Sequence, residues 1–178
     1  MSSYRFEGRE PWVHASAYIH PSAVLLGDVH IEAACYVGPL ASLRADFGRI
    51  VLRAGSNVQD GCVLHGVAGR DTVVEEDGHL GHGAVVHGCL VRCGALIGMR
   101  AVVMDGADIG SYAVVAAGAV VPAGMQVPAR TLVTGVPAKI RRALTERDIQ
   151  AKKDATQAYR ELAARCHSGV QCLPVPLD

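Results

Sequence analysis

A chain of 178 residues has material for one compact body with at most an appendage, and its 17 basic residues balance its 17 acidic ones. That balance leaves no net field to draw nucleic acid or an anionic membrane, and no apolar run reaches the ~18 to 20 residues of a membrane span. Six cysteines without a CxxC pair fit a reducing compartment, and MSSYRFEGRE lacks the apolar core of a signal peptide, so a cytoplasmic location is expected. Aromatic residues make up only 4%. A core of large rings is excluded, and thin regular layers are favoured.

From Val13 an aliphatic residue returns every six positions, at Ile19, Leu25, Ile31, Val37 and Leu43. The phase resumes at Leu52, Val58 and Leu64, again at Val74, Leu80 and Val86, and after a one-residue slip it runs from Val91 to Val133. Four positions beyond many of these stands a small residue, such as Ala23, Cys35, Ala41, Cys62, Ala84 or Ala101. An even period keeps the aliphatic residues on one side of an extended chain, and small residues suit its tight inward corners. The pattern resembles the hexapeptide-repeat proteins. That resemblance implies a mainly β fold, a three-sided left-handed parallel β-helix with three hexapeptides per coil, over residues 11–140. GVPAK, Gly135 to Lys139, is similar to the usual exit from such a helix.

Residues 141–166 lack glycine and are rich in helix formers, which predicts a C-terminal α-helix packed on the β-helix. Thr145 and Asp148 form an N-cap and its N3 partner, a capping box with Asp in place of Glu or Gln. Ile149, Thr156, Tyr159, Leu162, Ala163 and Cys166 recur at helical steps and make one apolar stripe. Residues 167–178 read as an irregular tail.

The densest chemistry lies in GHLGHGAVVHGC, residues 78–89. Each rung is one third of a turn whatever loop is inserted, so Val86 lies one coil above Leu64 and Leu43 one coil below it. Arg44, His65 and His87 each follow such a rung by one residue and should share a column at the ~4.8 Å spacing of neighbouring strands. His82 follows its rung by two and lies an odd number of residues before His87, so it faces another way. Three histidines on zinc need converging nitrogens, which requires His82 to come from a neighbouring subunit. A metal at each interface of a three-sided body suits a cyclic homotrimer.

Arg44 and Asp46 in LRADFGRI, Asn57, Gln59 and Asp60 in NVQDG, His65 in VLHG, and His82 and His87 in GHGAVVHGC resemble the γ-class carbonic anhydrases and their relatives. The resemblance is greatest to the branch found with phenylacetate degradation and carnitine metabolism. It implies Zn2+ held by His65 and His87 of one subunit and His82 of the next, with Fe2+ or Co2+ as substitutes. It also implies that Arg44 pairs with Asp46 and Asp60 at the interface, and that Gln59, assisted by Asn57, stands near the metal-bound water. The implied reaction is reversible hydration of CO2 to bicarbonate. Competing readings are hydrolysis of an acyl-CoA thioester at the same metal, acyl transfer from CoA, and a trimeric scaffold without catalysis. One departure from the family is clear: the archaeal prototype carries a proton-shuttling glutamate on an acidic loop, whereas GVAGRDTV follows His65 here. His79 is assigned to packing, His14, His20 and His30 to the surface, and Cys35 and Cys62 to the core.

Overall fold

The six-residue phase becomes a stack of very short strands. The computed structural model describes residues 2–173 as a parallel β-solenoid of about seven turns with one helix, Glu146–Gly169. One face stacks Ser42–Leu52, Val63–His65, Val85–His87, Val102–Val103 and Val120–Val121. The long strand Ser42–Leu52 continues into a second face with Thr72–Val74, Leu90–Val91, Asp108–Ile109 and Gln126–Val127. The third face runs from Tyr18–Ile19 through Tyr36–Val37, Asn57–Val58, His79–Leu80, Leu96–Ile97 and Val114–Val115 to Thr131–Thr134.

Register follows the repeat and its interruptions. Leu96 pairs with Val114, one regular coil of 18 residues on. Leu64 pairs with Val86 after 22 residues, because the small hairpin closed by Val67 and Arg70 adds four. Val86 pairs with Val103 after 17, where the phase slips by one. In each case the rung residue stays inside: Leu25, Leu43, Leu64, Leu80, Ile97 and Val115 are all fully buried. Each such side chain contributes roughly 1.5 to 3 kcal/mol by leaving water. Cys35 and Cys62 fill inward corners and donate their thiols to the carbonyl oxygens of Arg53 and Gly81, both at 3.1 Å. Burial raises the Cys62 thiol to about 11.

Both ends differ from expectation. Ser2–Tyr4 pairs with Val24–Ile31, so parallel pairing begins before residue 11. At the far end Lys139–Ala143 turns back antiparallel on Thr131–Thr134, and the helix starts at Glu146 rather than at 141. The last coil leaves an open edge of backbone donors and acceptors, and the exit segment satisfies it before helix can begin. The expected capping box of Thr145 and Asp148 then sets the start, with Arg142 2.7 Å from Asp148. The helix continues to Gly169, past the expected end at 166; residues 174–178 of the expected tail lie outside the described residues.

The helix lies over the third face. Ile149, Thr156 and Ala163 are buried, and Tyr159, Leu162 and Cys166 pack around Tyr18 and Tyr36. Lys152 is buried with them, its amine donating to the Asp77 carbonyl oxygen, and burial lowers its pKa to about 8. Among the described residues no helix is long and apolar enough to cross a membrane.

Candidate functional site

The column counted from the repeat is present. Arg44 pairs in register with His65, and His65 with His87. Side chains that follow an inward rung by one residue point outward, so these three stand one above another on the first face. His65 Nδ1 lies 2.9 Å from His87 Nε2. The other nitrogen of each ring meets a carboxylate: His65 Nε2 is 2.9 Å from Asp46 Oδ1, and His87 Nδ1 is 2.7 Å from Asp105 Oδ1.

Glycines permit these approaches. Gly88, in the left-handed region at φ 50°, follows His87; a β-carbon there would stand 2.9 Å from Asp105 Oδ1 and 2.7 Å from Val67. The carboxylate reaches His87 because that position is bare. Arg44 is ion-paired with Asp46 of its own strand. Burial works against the Asp46 carboxylate, but hydrogen bonds from His65 and Arg44 outweigh it and hold its pKa below the usual range. Phe47, mostly exposed, stands edge-on to His65 with ring centres 5.8 Å apart.

His82 is elsewhere. It sits on the turn after His79–Leu80, about half exposed, with Nδ1 3.1 Å from Asp60 Oδ2. Among the described residues no group of three His, Cys, Asp or Glu side chains gathers within the single chain. All three histidines nevertheless share one arrangement. One ring nitrogen of each faces a carboxylate; of the others, His65 Nδ1 and His87 Nε2 face each other at 2.9 Å, and His82 Nε2 is the ring nitrogen away from Asp60. A carboxylate behind the ring is the usual partner of a metal-bound imidazole, fixing its tautomer and raising its basicity. The donor set therefore fits a borderline metal such as zinc.

His82 opens on a cavity of about 470 Å³ whose wall includes Gln59, His79, Met99, Ala155 and Tyr159. Asn57 and Gln59 are buried, and Gln59 Nε2 lies 3.2 Å from Asn57 Oδ1 and 2.6 Å from His79 Nε2. Burial, with smaller contributions from the Lys152 and His82 charges, lowers the His79 pKa to about 4. Arg44, Asp46, His65 and His87 thus form one cluster, while Asn57, Gln59, Asp60 and His82 belong to another side of the solenoid. His79, expected only to pack, touches Gln59. Asp105 carried no column signal in the sequence: the coil from Val86 to Val103 is 17 residues, so Asp105, 18 beyond His87, stands one position past the residue that continues the column.

A carnitine operon protein CaiE from Salmonella agona shares 53% identity across 96% of this chain and 86% of its own length. The CaiE of a Proteus strain shares 52% over the same extents. The chain belongs to the CaiE family. The repeat family described as bacterial transferase hexapeptide (six repeats) matches residues 88–123, and that repeat makes the CaiE-type solenoid a left-handed β-helix. Among solved structures, a Bacillus cereus protein described as a candidate acetyltransferase superposes with a TM-score of 0.93, at 31% identity over 94% of this chain and 97% of its own. A hexapeptide transferase family protein from Anaplasma phagocytophilum gives 0.88, also at 31%, over 91% and 96%.

Proposed function

We propose that this CaiE-family chain is a metal-dependent enzyme of the γ-carbonic anhydrase type, acting on CO2 and bicarbonate, with its centre completed between copies in a homotrimer. The observation that supports this reading is the shared arrangement of His65, His82 and His87, each with a carboxylate behind one nitrogen, and the convergence of His65 Nδ1 and His87 Nε2 at 2.9 Å. His65 and His87 of one subunit and His82 of its neighbour would hold the metal. When bound, zinc supplies Lewis acidity and brings the pKa of water to about 7.

The chain's own groups do the rest. Asp46, Asp60 and Asp105 hold the imidazole rings in orientation, and Arg44 keeps Asp46 ionised. Gln59, supported by Asn57, stands at the cavity wall with its amide nitrogen held by Asn57 and His79, so its oxygen can accept a hydrogen bond from an O–H of the bound molecule. Phe47 screens His65 on its exposed side. The association of CaiE relatives with a carnitine operon supports a role beside carnitine metabolism.

A second reading, acyl transfer from CoA, is favoured by the likeness to the Bacillus cereus candidate acetyltransferase. In that chemistry one histidine acts as a general base and the paired ring nitrogens need no metal.

Metal content per subunit, followed on the same sample by CO2 hydration, CoA-thioester hydrolysis and acetyl transfer, separates these readings. About one metal per chain with hydration is the expected result. Thioester cleavage in place of hydration keeps the centre and changes the substrate, while acetyl transfer without metal supports the second reading. Metal with no turnover reduces the site to a clamp between subunits, and neither metal nor turnover after zinc addition overturns both readings.

A further inference from the structure

On the helix-covered face the outward column runs, in register, Tyr18, Tyr36, Asn57, His79, Leu96 and Val114. Only its two middle rungs are fully polar. Asn57 is completely buried and His79 is 6% exposed. Hiding an amide and an imidazole where the neighbouring rungs carry Tyr, Leu and Val costs stability that an apolar pair would not. Asn57 Nδ2 even remains buried without an acceptor among the described residues. Such a pair is poorly explained by packing.

Hydrogen-bond arithmetic shows what the pair does. Gln59 Nε2 donates to Asn57 Oδ1 and lies 2.6 Å from His79 Nε2. An amide nitrogen only donates, so His79 Nε2 accepts and the imidazole hydrogen sits on Nδ1, 3.5 Å from Thr156 Oγ1 of the helix. Both N–H groups of Gln59 are then occupied within the chain. Its Oε1 is the atom left to face the cavity beside His82.

The geometry points to His79 as a positioning residue: buried beside Thr156 of the C-terminal helix, it fixes the Gln59 amide with its oxygen turned to the cavity. This inference rests on the reading of His82 as part of the reactive centre, and it makes the C-terminal helix part of that centre. A fixed carbonyl oxygen accepts a hydrogen bond from an O–H or N–H of the bound molecule and disfavours a bare anionic oxygen there.

The test compares His79→Leu, which continues the column of Leu96, with His79→Gln, whose amide oxygen can reach the Nε2 position, in the full-length protein. Metal content, Tm, kcat and KM are measured for hydration and thioester cleavage, with nitrogen-15 spectra of the imidazole and the Gln59 amide. His79→Leu is expected to keep its metal and Tm and to lose about ten- to a hundred-fold in kcat with KM little changed, as outer partners of a reactive centre typically do. His79→Gln should recover much of that loss. A His79→Leu variant with unaltered kcat overturns the inference. Should the unsubstituted protein lack metal and turnover, the functional reading fails separately, and the spectra still decide the clamp. A neutral His79 protonated on Nδ1, with a Gln59 amide signal that moves in His79→Leu, supports it; a hydrogen on Nε2 overturns it.

Discussion

His65 and His79 are almost equally hidden, at 8% and 6% exposure, yet their surroundings are opposites. His65 stands on the first face among Arg44, Asp46 and His87, with a carboxylate on one nitrogen and another imidazole 2.9 Å from the second. His79 stands on the third face beneath the helix, with the neutral partners Gln59 and Thr156 and a pKa depressed to about 4. Burial alone does not say what a histidine can do. A carboxylate prepares the ring to bind a cation, whereas neutral partners under a helix make it a fixed hydrogen-bonding strut.

The largest expected effect falls on the site proposed to join subunits. His82→Ala should lose the metal and all turnover and weaken the oligomer together, as read by metal analysis and sedimentation. Full metal retention in that variant would break the contrast, because His65 and His87 would then suffice alone.

The covered face is next. The folded pKa of His79 lies below its ordinary 6.5, so the unfolded chain takes up a proton first as pH falls. Stability is therefore complete above about pH 6.5 and declines as pH falls toward about 4, by at most about 3 kcal/mol. Urea unfolding across this range should show the decline, and His79→Leu should flatten it. An unchanged slope would mean that His79 is not the group responsible.

On the open face, Asp105→Asn should reduce metal affinity or activity by about ten- to a hundred-fold while leaving Tm nearly constant, measured by metal titration and melting. A comparable loss of Tm with unaltered metal affinity would make Asp105 a structural partner only. The smallest effect belongs to the helix start: Thr145→Ala removes one side of the capping box and should cost about 1 kcal/mol in urea unfolding. If the helix holds His79 against Gln59 by covering it, the same variant also shows a small fall in kcat.

Much of this was readable along the chain. Leu64, Val86 and Leu43 locate Arg44, His65 and His87 in one column by counting alone, since each rung advances the same fraction of a turn. Thr145 and Asp148 announce the helix, and Ile149, Thr156 and Ala163 mark its buried side. The turn back at Lys139–Ala143 was not readable, because it answers an open edge that exists only once the last coil is formed. Lys152 was missed for a related reason. A lysine stem can lie under a helix while its amine finds a carbonyl oxygen 75 residues away.

The amino-acid sequence by itself determined the solenoid, its register and the spacing of the three histidines, because a period of six is a local property that sums coil by coil. Only the tertiary structure decided which face the helix would cover, and with it that His79 would be stripped of water and joined to Gln59. It likewise decided that bare Gly88 would let Asp105 reach His87. Those outcomes depend on how distant segments pack, and packing is set by shape and contact rather than by period.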